Sequence, residues 1–391
     1  MIPTFIKMDL RWRPKLLLAG KGKKMNIAQV APVFESVPPR LYGGTERVVH
    51  YLTEELVKMG HSVTLFASGD SQTSARLIPV CDRALRLDEN CVDQAAHHIL
   101  MLEKVFQRSP EFDLIHFHCD YLHFPLSRRY SVRHVTTLHG RLDIPDLVPL
   151  YKEFSDMPVV SISDAQRSPL SWLNWQGTVH HGISPEKFPF QPVPGKYLAV
   201  LGRISPEKGI EQAVAIAARF GMPLKIAAKV DKVDEKFFAE KIKPLLEHPL
   251  VEYVGEISEN EKGQFLGGAY ALLFPINWPE PFGLVMIESM ACGTPVIAYP
   301  NGSVKEVMED GVTGFIVKGV SEAVEALHRV SALSRLSVRE VFKRRFTSKR
   351  MGEDYVKIYS RLIGRKSAFA PVCLRERISE ACSEKAKTMM T

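Results

Sequence analysis

The chain has 391 residues, and its hydrophobic fraction of 45% and charged fraction of 24% are those of a globular protein. The length allows two or three domains with cores of their own. The composition excludes a disordered, collagenous or disulfide-scaffold protein. The net charge is +7, of which residues 1–24 carry +6. The excess positive charge therefore lies in one segment. It gives little support for nucleic-acid binding by the rest of the protein.

The cysteine spacing and the apolar runs indicate the compartment. The six cysteines form no CxxC pair and have no zinc-site spacing with a histidine, so we expect ordinary thiols in a reducing cytosol. No apolar run approaches the ~18–20 residues that cross a bilayer, and Leu16–Ala19 is shorter than the ~7–15 residues of a signal-peptide core. We expect a cytoplasmic protein. Residues 1–24 are either a solvated leader or an electrostatic tether to the inner membrane face.

Strand and helix patterns alternate from Asn26 onward. A helix follows the first strand, because apolar residues recur at helical spacing between Val48 and Met59 and Gly60 ends the run. The strands predicted in this half are residues 26–31, 62–67, 114–117, 134–138 and 158–162. This alternation predicts a parallel sheet covered by helices on both faces.

A second unit of the same kind follows a proline-rich segment. Residues 188–195 read FPFQPVPG, and three prolines favour an extended linker over a helix. Helices are predicted at Ile210–Phe220 and Ser348–Ile363. The strands predicted here are residues 197–201, 224–228, 251–254, 271–275 and 295–298. Parallel sheets bind ligands at the carboxyl ends of their strands, so we expect the active site in the cleft between the two units.

The first segment that carries chemistry is residues 42–47, YGGTER, just before a helix. Paired glycines let backbone N–H groups approach a ligand closely, and a helix N-terminus favours an anion. Gly43 and Gly44 are therefore candidates for a phosphate contact. A plain flexible turn is the alternative.

The second segment, residues 202–209, reads GRISPEKG and follows a predicted strand. In this interpretation the strand ends, Gly202 turns the chain, and Arg203 and Lys208 flank the start of a helix. A guanidinium fork and an ammonium charge together suit a diphosphate, with two solvated surface charges as the alternative. The segment lacks the GK[ST] ending of a Walker loop.

The third segment, residues 279–296, places two carboxylates eight residues apart in PEPFGLVMIESMACGTPV. Glu280 lies on a proline-flanked loop, and Gly283 permits a tight entry to a helix. Glu288 lies just over one turn into that helix, so both carboxylates can point into one cleft. The alternative for Glu288 is the surface of an amphipathic helix.

The fourth segment is His139, which ends a predicted strand and precedes Gly140. A histidine at the end of a strand can reach a ligand, and a structural histidine is the alternative. Each of the four segments falls on a loop after a predicted strand, or at the start of the helix that follows one. The four therefore converge on the expected cleft.

Together the four segments resemble glycosyltransferase family 4, whose members are retaining nucleotide-sugar glycosyltransferases. The resemblance covers about residues 25–363. It is most specific at residues 280–298, EPFGLVMIESMACGTPVIA, where Glu280 and Glu288 match the family's E-x7-E signature. It implies the α/β fold called GT-B: two Rossmann-like parallel-sheet domains facing across a cleft, with a C-terminal helix that crosses back to the first domain.

The resemblance also divides the chain. Residues 1–24 form a basic arm without a counterpart in the family. Residues 25–190 would be the acceptor-side domain and residues 196–345 the donor-binding domain. Residues 346–365 would form the returning helix, and residues 366–391 a polar tail.

The resemblance implies a role for each matching position. Contacts to the donor diphosphate would come from Gly43, Gly44, Arg203 and Lys208. The other donor contacts would be Glu288 to the ribose, the backbone amides near the sugar at Phe282, Gly283 and Leu284, and the segment beside the base that begins at Val254. The candidate catalytic residues, both touching the donor sugar, are His139 and Glu280.

The implied reaction transfers a sugar from a nucleotide-diphosphate sugar to an acceptor hydroxyl with retention of the anomeric configuration. Fixed cations and amide dipoles would stabilise the charge on the leaving diphosphate, so we expect neither a metal nor another cofactor. The leaving phosphate would deprotonate the acceptor, and no protein nucleophile is assigned. The acceptor is expected to be a carbohydrate or a lipid-linked molecule, and nucleic acid is not an expected partner.

Three other functions remain open at this point. A GT-B-like sugar-nucleotide epimerase shares the cleft, although the E-x7-E element argues against it. A non-catalytic sugar-nucleotide-binding protein is the second, although every matching charged residue is intact. A dinucleotide-dependent oxidoreductase is the third, although the only G-x-G near a strand, Gly20 to Gly22, precedes that strand. The loop with His181 and Ser184 departs from the family, which leaves its role open.

Overall fold

The computed structural model describes residues 24–130 and 132–364. The predictions made for the basic arm and the polar tail therefore lie outside the described residues, apart from Lys24. Within the described part, the chain forms one seven-stranded and one six-stranded sheet. All strand pairs in both sheets are parallel. This confirms the predicted pair of Rossmann-like domains.

The first domain contains seven strands in the spatial order β3-β2-β1-β4-β5-β6-β7. They are β1 Asn26–Val30, β2 Ser62–Ala67, β3 Arg76–Pro79, β4 Leu114–Phe117, β5 His134–Thr137, β6 Val159–Ser161 and β7 Trp175–Thr178. The helices are α1 Gly44–Lys58, α2 Gln94–Gln107, α3 Phe124–Tyr130, α4 Leu147–Glu153 and α5 Asp164–Arg167.

The second domain has its six strands in the order β10-β9-β8-β11-β12-β13. They are β8 Leu198–Ile204, β9 Leu224–Val230, β10 Val251–Gly255, β11 Ala271–Phe274, β12 Val296–Ala298 and β13 Gly314–Ile316. The helices up to the last are α6 Ile210–Phe220, α7 Glu235–Phe237, α8 Glu259–Gly267, α9 Leu284–Ala291, α10 Val304–Val307, α11 Val320–Arg329 and α12 Arg335–Arg345.

The central strands are buried on both faces, as their short apolar runs predict. In β4 and β11 every residue is buried, because helices cover both sides of each parallel sheet. The faces of the sheets are therefore closed to ligands, and the carboxyl ends of the strands remain open. Those ends are where the loops that carry the predicted site residues begin.

The last helix, α13 Ser348–Gly364, crosses back and packs on the first domain. The Ser348 hydroxyl donates to the Glu55 carboxylate at 3.1 Å. At Gly352, a Cβ atom would lie 2.9 Å from Cε of Met59, so a glycine here allows α13 to approach α1 closely. Farther along the helix, Tyr355 and Tyr359 are fully buried. The returning helix is thus part of the core of the first domain.

Candidate active site

A cleft of about 460 Å³ lies between the carboxyl ends of the two sheets, within the range of ~300–1,000 Å³ typical of small-molecule sites. The predicted site residues that line it are Gly43, Gly44, His139, Arg203, Lys208, Glu280, Phe282, Gly283, Leu284 and Glu288. Val254 is not among the lining residues. It lies on β10 with 41% of its surface exposed, whereas its neighbours Glu256 and Ile257 do line the cleft.

Two helices, one from each domain, begin at this cleft. The helix α1 starts at Gly44 and α9 starts at Leu284. A Cβ atom on Gly44 would lie 3.7 Å from Cδ1 of Leu284, so the two N-termini approach each other across the cleft. The first N–H groups of a helix have no partner within it, and the helix dipole is positive at that end. The arrangement therefore favours an anion bound between the domains.

The segment that joins β8 to α6 differs from the sequence interpretation in one respect. The strand does not end before Gly202, because β8 continues through Gly202 and Arg203 to Ile204. Lys208 ends a short 3-10 turn, Pro206–Lys208, and the left-handed Gly209 (φ +70°) leads into α6. Both cations still reach the cleft, one from a strand and the other from a turn.

Lys208 and Glu280 form an ion pair inside the cleft. The ammonium nitrogen of Lys208 lies 2.6 Å from Oε2 of Glu280, and the indole N–H of Trp278 donates to the same oxygen at 3.0 Å. The Lys208 ammonium also lies 4.7 Å from the centre of the Trp278 ring, in cation–π geometry. Trp278 was not predicted as a site residue, and it fixes the orientation of both charged groups.

Arg203 is held by acidic side chains of its own domain. Its guanidinium donates to Glu207 at 2.6 Å and lies 3.6 Å from Asp231. The side chain is 31% exposed, so the guanidinium is anchored at the wall of the cleft while part of it stays accessible. The alternative of two free surface charges therefore does not describe either Arg203 or Lys208.

Glu288 is buried, which rules out the surface position considered for it. It is 1% exposed, and Oε1 accepts a hydrogen bond from the ammonium group of Lys262 at 2.9 Å. Burial lowers the pKa of Lys262, and the Glu288 carboxylate partly offsets this effect. Lys262, from α8, also lines the cleft. No sequence pattern indicated Lys262, because it lies 26 residues before its partner.

His139 lies in a group of histidines at the carboxyl ends of the first sheet. Its Nε2 atom lies 2.9 Å from Nδ1 of His118, and its ring stacks on His181 with centroids 5.4 Å apart. His181 in turn contacts the ring of Phe282 edge-on at 4.8 Å. Burial lowers the pKa of His139 to about 3, so this histidine is neutral at pH 7. It can donate one hydrogen bond and accept another, but it supplies no charge.

Two family patterns match the chain. The family described as Glycosyltransferase Family 4 matches residues 42–176, and the family described as Glycosyl transferases group 1 matches residues 186–344. Together the two matches cover most of both domains. The chain belongs to the GT-B glycosyltransferases.

Curated relatives of this glycosyltransferase include an alpha-maltose-1-phosphate synthase and a glycogen synthase. It is 31% identical over 135 residues to the alpha-maltose-1-phosphate synthase of Mycolicibacterium smegmatis, a match that covers 33% of this chain and 35% of that protein. It is 25% identical over 348 residues to the glycogen synthase of Mycobacterium tuberculosis, covering 74% of this chain and 83% of that protein. The chain thus spans about a third of the first relative and most of the second.

The fold of the glycosyltransferase is also found in solved structures. Anabaena HepE, crystallised in complex with UDP-glucose, superposes with a TM-score of 0.65 at 18% sequence identity. The match covers 86% of this chain and 100% of the HepE chain. At this identity the likeness concerns the fold, and it confirms the predicted GT-B architecture.

Contacts between the domains hold the glycosyltransferase cleft together. The backbone N–H of Tyr42 donates to the carboxylate of Glu256 at 2.8 Å, and the ammonium group of Lys229 lies 4.4 Å from the centre of the Tyr42 ring. On the other side of the cleft, the Ser163 hydroxyl donates to the carbonyl of Pro281 at 2.7 Å. The glycine-rich loop of the first domain is thus anchored on the second domain. Sequence reasoning missed these contacts, because each joins residues far apart in the chain.

Two further findings concern metal ions and membranes. Among the residues that the structure describes, no group of three or more histidine, cysteine, aspartate or glutamate side chains is placed to hold a metal ion. Metal independence stays a prediction. Across the same residues, none of the helices combines the length and the apolar character that a bilayer span requires.

Proposed function

We propose that this protein is a retaining, metal-independent glycosyltransferase that moves a sugar from a nucleotide-diphosphate sugar to an acceptor hydroxyl. The observation that carries the proposal is the convergence of four positive features on one cleft: the N-termini of α1 and α9 and the side chains of Arg203 and Lys208. A diphosphate is the ligand that such an arrangement suits. The UDP-glucose bound to a protein of the same fold supports it.

The positive features would act mainly as the donor bond breaks. Cleavage of the bond between the anomeric carbon and the diphosphate leaves negative charge on the phosphate oxygens. Arg203, Lys208 and the N–H groups at Gly44 and Leu284 are fixed before the reaction, so they stabilise that charge with little reorganisation. In this mechanism the diphosphate replaces Glu280 as the partner of Lys208. Glu280 then stays oriented by Trp278 and accepts hydrogen bonds from the donor sugar.

Retention in this proposal requires the acceptor to attack from the face that the leaving group occupies. The leaving phosphate takes the proton of the acceptor hydroxyl, and the new bond forms at the same face. Glu288 is engaged by Lys262, and Glu280 still accepts from the indole N–H of Trp278 after the diphosphate has taken Lys208. Neither carboxylate is therefore a free nucleophile, which supports a mechanism without a covalent sugar–enzyme intermediate.

Donor binding and turnover test the proposal separately. A thermal-shift screen over UDP-, GDP- and ADP-sugars should find one class that stabilises the protein, by about 2.7 kcal/mol at 100 times its dissociation constant. Transfer is then measured with that donor and a panel of carbohydrate acceptors, with and without EDTA. Unchanged turnover in EDTA and a product whose anomeric configuration matches the donor by NMR are the expected results. An inverted product, or loss of activity in EDTA that a divalent ion restores, would contradict the mechanism.

Incubation without an acceptor separates the transferase from an epimerase. A transferase releases nucleoside diphosphate slowly under these conditions, because water is a poor substitute for the acceptor. An epimerase converts the donor to an equilibrium mixture with a second sugar nucleotide without any acceptor. Accumulation of a second sugar nucleotide, detected by NMR of the anomeric protons, would replace the proposed function with the epimerase.

The acceptor remains part of the proposal. We infer a carbohydrate or a lipid-linked carbohydrate, with residues 1–24, of net charge +6, as a contact to an anionic membrane surface. Each basic residue near such a surface contributes ~1 kcal/mol, and salt screens it. Sedimentation with anionic vesicles should therefore be stronger for the full chain than for a chain that begins at Met25, and only at low salt. Equal sedimentation of both chains would exclude this contact. As a control, both chains should turn over a soluble acceptor equally.

A further inference from the structure

A chain of hydrogen bonds leads from the cleft into the first domain. His139 Nε2 lies 2.9 Å from His118 Nδ1, and His118 Nε2 lies 2.8 Å from Oε1 of Gln29. The amide nitrogen of Gln29 donates to the hydroxyl of Tyr359, on α13, at 3.2 Å. Gln29 and Tyr359 are fully buried and His118 is 2% exposed. Each polar atom in this series of hydrogen bonds therefore depends on its neighbour for a partner.

The amide of Gln29 sets the direction of these bonds. Its Oε1 atom only accepts, so His118 Nε2 carries the proton, and His118 Nδ1 accepts from the N–H of His139 Nε2. A flipped amide would make the 3.2 Å contact with Tyr359 an O–H···O bond, longer than the usual ~2.5–3.0 Å. Burial lowers the pKa of both His118 and His139, so each neutral ring carries a single proton.

The hydrogen bonds beyond Tyr359 run in the same donor-to-acceptor direction. The hydroxyl of Tyr359 accepts from Gln29, so its own hydrogen is free to point to His116 Nδ1, 2.7 Å away. His116 Nε2 then donates to the hydroxyl of Thr137 at 2.7 Å. Each ring nitrogen and hydroxyl in the series thus has one role that its neighbour complements. The returning helix takes part directly, because Tyr359 lies on it.

We propose that His118, Gln29 and Tyr359 are positioning residues that hold His139 as its Nε2–H tautomer, with Nδ1 as the acceptor for a hydroxyl of the donor sugar. Nδ1 of His139 is a buried atom with no hydrogen-bond partner within the described residues, and other atoms of the residue line the cleft. The opposite tautomer would place a proton on Nδ1 and turn the acceptor into a donor. The identity of the ligand rests on the proposed function, whereas the tautomer does not depend on it.

The tautomer is measurable by ¹⁵N NMR on the full chain labelled at the histidine rings, with the His139 signals assigned from a His139→Gln variant. We expect a protonated Nε2 and an unprotonated Nδ1. His118→Leu removes the acceptor and should give a mixture of tautomers, whereas the amide oxygen in His118→Asn can still accept and should preserve the Nε2–H form. The matched control is His123→Leu. His123 is equally buried, but it forms hydrogen bonds with Ser127 and Thr136, which do not belong to the series that leads to His139. A proton on Nδ1 in the wild type would overturn the proposal, as would an unchanged tautomer in folded His118→Leu.

Kinetics give a second readout that a merely structural role would not produce. For His118→Leu we expect kcat to fall roughly tenfold with the donor KM changed less than about threefold. His118→Asn should recover most of the activity, and Tyr359→Phe should change kcat in the same direction. An equal loss in the His123→Leu control, or a loss confined to KM, would contradict the positioning role. If the wild type shows the expected tautomer but transfers no sugar from any donor, the proposed function fails and the tautomer assignment stands.

Discussion

The ammonium group of Lys208 lies 2.6 Å from the carboxylate of Glu280, and both side chains are largely buried, at 19% and 12% exposed. Each residue therefore neutralises the other before a donor is present. A diphosphate that binds Lys208 must compete with Glu280 for the same ammonium hydrogens. The two residues are coupled through this bond, so a substitution at one of them changes the charge balance that the other experiences.

Lys208→Ala should weaken binding of the nucleoside diphosphate product by about 10–150-fold, the loss of one charge-assisted contact worth about 1.5–3 kcal/mol. We expect the lower part of this range, because Glu280 already offsets part of the lysine charge. Binding of the nucleoside without phosphates should hardly change, as titration calorimetry can show. Lys225→Ala is the matched control, since that lysine pairs with Glu252 on the second sheet. Equal losses for the nucleoside and the diphosphate would indicate a structural role for Lys208.

Arg203→Ala should also weaken diphosphate binding, and its electrostatic effect should be larger than that of Lys208→Ala, which leaves only Glu280 without its cation. Removal of the guanidinium leaves both Glu207 and Asp234 without their ion-pair partner, while Asp231 keeps Lys229. The added negative charge near the cleft should repel the diphosphate, so the loss should be more salt-dependent than for Lys208→Ala. Calorimetry at low and high salt measures this difference. The same salt dependence in both variants would contradict the account.

Glu280→Gln should lower kcat and kcat/KM together while leaving the donor KM little changed, because its contact to the sugar is assigned to the transition state. The amide oxygen can still accept from Trp278, so the loop should keep its place. Lys208 loses its anionic partner, and the nucleoside diphosphate should therefore bind at least as tightly as to the wild type. If only the donor KM increased, Glu280 would be a uniform binding residue.

The central elements of both domains could be predicted from the sequence, but three of the four edge strands could not. The helix Ile210–Phe220 has the predicted bounds, because a glycine stands at either end of an apolar helical pattern. The edge strands Arg76–Pro79, Trp175–Thr178 and Gly314–Ile316 were missed. They are three or four residues long and only partly buried, so they lack the apolar run by which a central strand is recognised.

Placement at the cleft was predictable for Gly43, which precedes a helix, and for Glu280, which follows a strand, whereas Arg203 reaches the cleft from within β8. What the sequence could not provide is the partner of each side chain. Trp278 and Lys208 are separated by 70 positions and His118 and His139 by 21, and no periodicity relates residues that meet only through the folding of separate loops. Val254 does not line the cleft, whereas Glu256 and Ile257 just after it do, so the contact of Val254 with the donor base stays a prediction.

Gly302 supports the loop that carries Glu280. It has a left-handed backbone (φ +58°), and a Cβ atom there would lie 2.2 Å from the backbone oxygen of Glu280. Gly302→Ala should therefore displace the loop and lower kcat at least as much as Glu280→Gln. Gly311→Ala is the matched control, since Gly311 also has a positive φ (+75°) but nothing within 4 Å of the added Cβ. Both variants share the backbone cost of about 1–2 kcal/mol, so a similar loss of kcat in both would refute the steric argument.

Stability should fall as the pH is lowered from 7.5 to 5.5, because burial lowers the pKa of several histidines that are neutral in the native state. The group is His116, His118, His123, His134, His139 and His181. Burial lowers the pKa of His134 to about 4 and that of His139 to about 3, against ~6.5 in an unfolded chain. Below pH ~6.5 the unfolded chain therefore binds protons that the native chain does not, and the free energy of unfolding decreases by up to about 1.4 kcal/mol per histidine for each pH unit.

Urea denaturation at the two pH values measures this loss, and a single substitution tests its source. His123→Asn should reduce the difference in unfolding free energy between pH 7.5 and pH 5.5 by roughly 1 kcal/mol, because one buried histidine no longer takes up a proton on unfolding. The variant will itself be less stable at both pH values, so the comparison uses the difference and not the absolute value. His328→Asn, at an exposed position, is the matched control for a histidine outside this buried group. An unfolding free energy that stays constant between pH 7.5 and pH 5.5 in the wild type would show that these histidines are not held neutral by the fold.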